Sequence, residues 1–152
     1  MIILDTNILS ELLAPSPDAA VMAWVAEQPP LSMFTTTITE AEILYGLRLL
    51  PEGRRRRELE TAILPIFTDD FSGRVLPFDR DAADFYATIA TDRRRAGRPI
   101  SQFDAQIAAI ALSRGASLAT RNIPDFQAIG LHVVNPWKNG ERHDQKFELR
   151  ND

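Results

Sequence analysis

Ile2-Ile3-Leu4-Asp5-Thr6-Asn7 is the stretch on which the fold turns. Three apolar residues in a row form a short buried strand. An aspartate follows at once, where Asn7 to Leu13 takes up a helix-like pattern that Pro15 stops. The same kind of junction recurs along the chain. Leu31 to Thr36 is β-leaning and runs into Thr39-Glu40-Ala41-Glu42, the head of a helix over Thr39 to Leu50. Ser101-Gln102-Phe103-Asp104 opens a helix over Phe103 to Arg114, with Gly115 as its C-terminal stop. Ser117 to Thr120 is a strand followed by Asn122 and Asp125. Strands alternating with helices imply a mostly parallel sheet covered on both faces, an α/β fold of the helix–sheet–helix sandwich kind. In such a sheet the junctions gather at one rim, outside the carboxyl ends of the strands.

The remaining segments fill in this scheme. Ser16-Pro17-Asp18 starts a helix, with serine as cap and proline at the first helical position; Val21, Met22 and Val25 give it an apolar stripe. In the Thr39 helix the expected buried positions are Ala41, Leu44, Tyr45 and Leu49; in the helix over Arg54 to Phe67 they are Leu59, Ala62, Ile63 and Ile66. Arg74 to Phe78 and Leu131 to Val134 are short strands. Asp79 caps a long helix with Ala82, Phe85, Tyr86 and Ile89 inside. Residues 1–137 form one domain, and the polar composition of 138–152 marks a mobile tail or a partner-docking segment.

Composition narrows the function. A hydrophobic content of 45% and a charged content of 25% are ordinary for a soluble globular domain. The absence of cysteine excludes disulfides and thiolate metal sites. His132 and His143 lack the paired spacing of a zinc site. There is no Gly-rich phosphate loop and no Gly-x-Ser-x-Gly elbow. No apolar run is long enough to span a bilayer, and the charge at Asp5 arrives too early for a signal peptide, so a cytoplasmic protein with no membrane partner is expected. A net charge of −4 is not that of a passive nucleic-acid binder. Arg54 to Arg57 and Arg93, Arg94, Arg95 and Arg98 are nevertheless clustered; they are solvated helix faces, or they flank an acidic centre that handles a polyanion.

That centre is Asp5, Glu42, Asp104 and a fourth position at Asn122 or Asp125. Two carboxylates ~5 Å apart at an effective dielectric of ~20 repel by about 3 kcal/mol. A hard cation with oxygen ligands, Mg²⁺ or Mn²⁺, relieves the repulsion. Each acid has a structural alternative. Asp5 caps the next helix or coordinates an ion. Glu42 and Asp104 stand where a capping box places its acid, after Thr39 and Ser101. Both then fall in a first helical turn, where the dipole favours the ionised form. Asp125 caps a short turn over Phe126 to Ile129 or completes the site; Asn122, nearer the strand end, is favoured as the rim residue.

Taken together, Ile3-Leu4-Asp5-Thr6-Asn7, Thr39-Glu40-Ala41-Glu42-Ile43 with Gly46, Asp104-Ala105-Gln106-Ile107-Ala108-Ala109, and Leu118-Ala119-Thr120-Arg121-Asn122 with Asp125-Phe126 resemble the PIN domain. The resemblance is closest to VapC-type toxins and their FitB-like relatives of bacterial toxin–antitoxin pairs, which Val134-Asn135-Pro136-Trp137 also resembles. It implies an endoribonuclease that depends on magnesium, with manganese as a substitute. It implies a homodimer held in check by a cognate antitoxin of the VapB or FitA kind, with operator DNA bound only through that antitoxin. The acids it implies as catalytic and metal-binding are Asp5, Glu42 and Asp104. Thr6, Asn7 and Thr120 fall at polar positions lining such sites, and Asn122 stands where the family often has a further acid. The rivals are a phosphatase that phosphorylates Asp5, against which Asn7 speaks, and a degenerate PIN-like module that binds protein or RNA without cutting.

Overall fold

The computed structural model describes residues 1–138. Its sheet is built from β1 (Ile2–Leu4), β2 (Met33–Thr36), β3 (Val75–Leu76), β4 (Ser117–Ala119) and β5 (Val133–Val134). All pairings are parallel and the spatial order is β3-β2-β1-β4-β5. The chain therefore lays down one half of the sheet outward from β1, then returns to β1's other side with β4. The topological switch lies between β1 and β4, which is where an open α/β sheet places its ligands.

Six helices cover the sheet: α1 (Thr6–Leu12), α2 (Ala19–Glu27), α3 (Thr37–Leu49), α4 (Arg54–Pro65), α5 (Arg80–Arg95) and α6 (Gln102–Ser113). Successive strand residues point to opposite faces, and β1 divides the core accordingly. Ile3 and Leu118 pack with α5 and α6 residues such as Ile89, Ile107 and Ile110. Leu4 and Ala119 pack with Ile8, Leu9, Val21, Leu47 and Ile63 from α1 to α4. The expected α/β/α sandwich is thus observed. The segment expected to be a polar tail lies, from residue 139 on, outside the described residues.

Local expectations fail at four points. Helix α2 is capped by Asp18, whose Oδ1 accepts from the amides of Ala20 and Val21, not by Ser16. Helix α3 begins at Thr37 and is capped by Thr36, whose hydroxyl accepts from the Thr39 amide at 3.1 Å. Its core-facing row is Thr39, Ile43 and Leu47, so Ala41, Tyr45 and Leu49 lie exposed where burial was expected. Ala62 and Phe85 are likewise exposed. Finally, Asp125 lies inside a 3-10 turn over Ile123–Phe126 and does not cap a turn after it.

Candidate active site

Asp5 leaves β1 with extended backbone and caps α1, its Oδ1 accepting from the Thr6 amide at 2.8 Å. It is only 3% exposed. Its Oδ2 accepts from the Thr120 hydroxyl at 2.7 Å and from Asn7 Nδ2 at 3.2 Å. Thr120 follows β4, so this contact closes the switch point between the two central strands. A hydroxyl has one proton and two lone pairs. Thr120 gives its proton to Asp5 and accepts from Asn7 Nδ2 at 3.3 Å and from the Asn122 amide at 3.2 Å. Asn7 Oδ1 in turn accepts from the Arg121 amide at 3.3 Å. Asp5, Asn7, Thr120 and the backbone of Arg121-Asn122 form one connected network.

Glu42 joins it through Thr6. The Thr6 hydroxyl donates to Glu42 Oε1 at 3.0 Å and lies 3.0 Å from the Thr39 hydroxyl. With its one proton committed to Glu42, Thr6 must accept from Thr39. The capping-box reading of Glu42 does not hold: Thr36 is the cap, Glu40 is the first-turn acid, and Glu42 sits further into the helix. Asp104 does occupy the first turn of α6, where the Ser101 hydroxyl accepts from its amide at 3.2 Å. Serine caps that helix, and the Asp104 carboxyl also bonds the Ser101 side chain.

All three carboxyls are shifted upward, chiefly by burial. In Asp5 the hydrogen bonds from Thr120, Thr6 and Asn7 oppose the shift, and the charge of Asp104 adds to it. Burial raises Glu42 against the Thr6 bond, with Asp5 and Asp104 adding repulsion. Burial raises Asp104 against its bond with Ser101, with Asp125 adding repulsion. The charges thus act on one another from three separate stretches of chain. Among the described residues none of these acids forms an ion pair.

The fourth position is shared between two neighbours. Asn122 is exposed at the head of the 3-10 turn, with its amide tied to Thr120. Asp125 is exposed in the same turn, and its charge reaches Asp104. One residue that the sequence did not single out is Arg93. It is buried, and it bonds the backbone on both sides of this rim.

The donors at the rim are carboxylate, hydroxyl and amide oxygens, a hard set that fits Mg²⁺ or Mn²⁺. Among the described residues no three acids converge closely enough to enclose an ion by themselves. That openness suits a cation that keeps several of its waters. Two surface recesses, lined by Arg54, Arg57, Glu58 and Thr61 and by Leu44, Leu47, Arg48, Glu60 and Leu64, include none of these acids.

Comparison with known proteins gives VapC- and FitB-type relatives both by sequence and by structure. The PIN domain family matches residues 2–130. The chain is 42% identical over 142 residues to the VapC ribonuclease Y4jK of Sinorhizobium fredii, covering 91% of this chain and 99% of that one. It is 38% identical over 141 residues to the toxin FitB of Neisseria gonorrhoeae, covering 90% and 99%. Its structure is similar to that of a chain in FitAB bound to an IR36 DNA fragment, with a TM-score of 0.83 and 37% identity, covering 94% of this chain and 100% of that one.

Proposed function

The chain belongs to the PIN-domain family, and on that footing we propose that it is a metal-dependent endoribonuclease and the toxin of a type II toxin–antitoxin pair. The observation that carries the reading is the set of three carboxylates near the β1/β4 switch point, each raised by burial and by a neighbouring carboxylate and with no ion pair among the described residues. Such an arrangement is costly in itself and is relieved by a cation. The two sequence relatives support the chemistry and the biology, one named a ribonuclease and the other a toxin.

A magnesium ion, or manganese in its place, held by Asp5, Glu42 and Asp104 directly or through water, supplies positive charge for the phosphate oxygens and lowers the pKa of a water. The chain's own groups do the rest. Thr120, Asn7 and the Thr6 amide hold Asp5 ionised and fixed in orientation. Thr6 holds Glu42 Oε1 and leaves Oε2 to receive a proton from the attacking water. The water oxygen bonds to phosphorus, one P–O ester bond breaks, and the leaving oxygen takes a proton from solvent. A carboxyl with a raised pKa is the better base for that proton. Asn122 offers a neutral oxygen at the edge of the site.

The same reading assigns a small cognate antitoxin as partner, with operator DNA reached through it. An arginine from the antitoxin matches a carboxylate rim by its planar fork. A homodimer would cover Tyr45 and Leu49 on α3, which are 67% and 66% exposed. No helix among the described residues is long and apolar enough to cross a membrane, which accords with action on RNA in the cytoplasm. The decisive experiment is RNA cleavage by purified protein. Chelator should abolish cleavage, and Mg²⁺ or Mn²⁺ should restore it. Undiminished cleavage in chelator sinks the metal mechanism; no cleavage by folded, metal-loaded protein favours the non-catalytic module.

A further inference from the structure

We propose that Arg93 is the positioning residue of this site, a buried guanidinium that fastens the loop leading to Asp104 and the turn carrying Asn122 and Asp125 to one point on α5. The proposal rests on the nuclease reading only for its kinetic consequence.

Arg93 stands in the run Arg93-Arg94-Arg95, yet it alone of the three is buried, at 8% exposure. It continues the inward face of α5 that carries Ala82 and Ile89. A buried cation is ordinarily paired with a carboxylate, but among the described residues Arg93 forms no ion pair. Its donors go to backbone carbonyls. Nε donates to the Arg98 carbonyl at 2.7 Å; Nη1 donates to those of Asp125 at 2.9 Å and Gln127 at 3.3 Å.

These carbonyls belong to two separate segments. Arg98 begins the loop that ends at Ser101, the cap of α6 that fixes the Asp104 amide. Its amide also donates to the Arg93 carbonyl at 2.9 Å, so the attachment is double. Asp125 and Gln127 flank the buried Phe126 in the turn that begins at Asn122. The next residue, Ala128, has φ 61°, the left-handed region that a residue with a Cβ seldom adopts unaided. The turn is therefore held in its shape by its surroundings, and Arg93 supplies two of the bonds. The planar fork of arginine makes such a bridge possible; the single point of a lysine ammonium does not reproduce it.

The test uses the full chain with Arg93→Met, which keeps the apolar stem, and Arg93→Lys, which keeps the charge and serves if the first does not fold. Hydrogen exchange should accelerate together in 98–104 and 122–127, while β1 and β4 stay protected. With Mn²⁺ and an RNA oligonucleotide, kcat should fall at least tenfold with KM within about twofold. Lysine should restore only part of the loss. Exchange that rises in one segment alone, or evenly throughout the fold, overturns the proposal, as does an unchanged kcat per folded molecule. If the wild type does not cleave RNA, the nuclease reading fails by itself, and the exchange pattern still decides the role of Arg93.

Discussion

Replacing Thr120 by valine removes one oxygen from the centre of the site and leaves its volume nearly unchanged. Thr120 is fully buried and makes three contacts: to Asp5 Oδ2 at 2.7 Å, and from Asn7 Nδ2 and the Asn122 amide at 3.3 and 3.2 Å. The two donors lose little, since Asn7 keeps Asp5 and Asn122 is exposed to water. The loss that counts is the hydroxyl's bond to an ionised carboxylate, worth about 1.5–3 kcal/mol. At about 1.4 kcal/mol per factor of ten, Asp5 becomes roughly ten to a hundred times harder to keep ionised. Mn²⁺ affinity, read by calorimetry, should fall most at acidic pH, where protons compete with the metal for Asp5, and RNA cleavage should need correspondingly more metal there. The sign on stability is the reverse of a salt-bridged aspartate's. Because burial raises the Asp5 pKa above 3.8 in the folded state, the metal-free protein has its full stability below the unfolded pKa and loses part of it as pH rises through the folded one. Thr120→Val moves that folded pKa higher. Its penalty in chelator should therefore be small near pH ~4 and larger at neutral pH, and Thr120→Ser should behave like the wild type. Equal destabilisation at both pH values, or unchanged Mn²⁺ affinity, refutes the assignment of this bond to ionised Asp5.

The capping and ligand roles should separate by substitution. At acidic pH, where its charge no longer matters, Asp5→Ala should cost about 0.5–2 kcal/mol for the lost cap, plus more for the stranded Thr120 hydroxyl. Asp104→Ala should cost far less, because Ser101 caps α6; equal losses in thermal melts would show the two acids to be structurally alike. Asp104→Asn should abolish cleavage while raising the melting temperature in chelator at neutral pH, since a carboxyl raised by burial is relieved of its charge; a lower melting temperature contradicts that sign. Asn122→Ala should lower activity and Asp125→Asn should leave Mn²⁺ affinity nearly unchanged; a metal titration in which only the Asp125 variant weakens assigns the fourth position to Asp125.

The sandwich was legible because its signals are local. Ile2-Ile3-Leu4 ahead of Asp5, Ser101 three residues before Asp104, and Gly115 with φ 62° after α6 each stand where a short-range rule puts them. The head of α3 was not, because Thr35, Thr36, Thr37 and Thr39 are all chemically able to cap it. The choice falls to Thr36 because β2 ends there, and strand pairing with β3 is a tertiary fact. The same shift decides which row of α3 faces the core. Two apolar rows were available, and only packing against α1 and α4 selects Ile43 and Leu47 over Tyr45 and Leu49. Thr120 could be named as a polar neighbour of the site, but its bond to Asp5 joins residues 115 apart in sequence and depends on β4 lying beside β1. Arg93 did leave a signal: it falls on the face of Ala82 and Ile89, eleven and four residues earlier. The charge run Arg93-Arg94-Arg95 masks that periodicity, because its composition signals solvent on every side.

Capping and metal binding are rival roles for these acids, and the hydrogen bonds leave room for both. A carboxylate has about four lone-pair sites. In Asp5, Oδ2 is occupied by Thr120 and Asn7, while Oδ1 spends one site on the Thr6 amide and keeps one. Glu42 has Oε1 on Thr6, and Asp104 bonds Ser101 through both its backbone amide and its side chain. Asp5 is thus the most fully bonded of the three. On the proposed reading, the remaining Oδ1 lone pair of Asp5 would be the one open to a cation. On the proposed reading the cap would not compete with a ligand role, because the Thr6 amide fixes the carboxylate's orientation. The burial needed for that rigidity is also what raises the three pKa values. If the site holds a cation as proposed, the protein would gain stability by mass action with it. Folding stability and readiness to bind metal are therefore opposed in the empty site, and the hydroxyls of Thr120 and Thr6 hold them in balance.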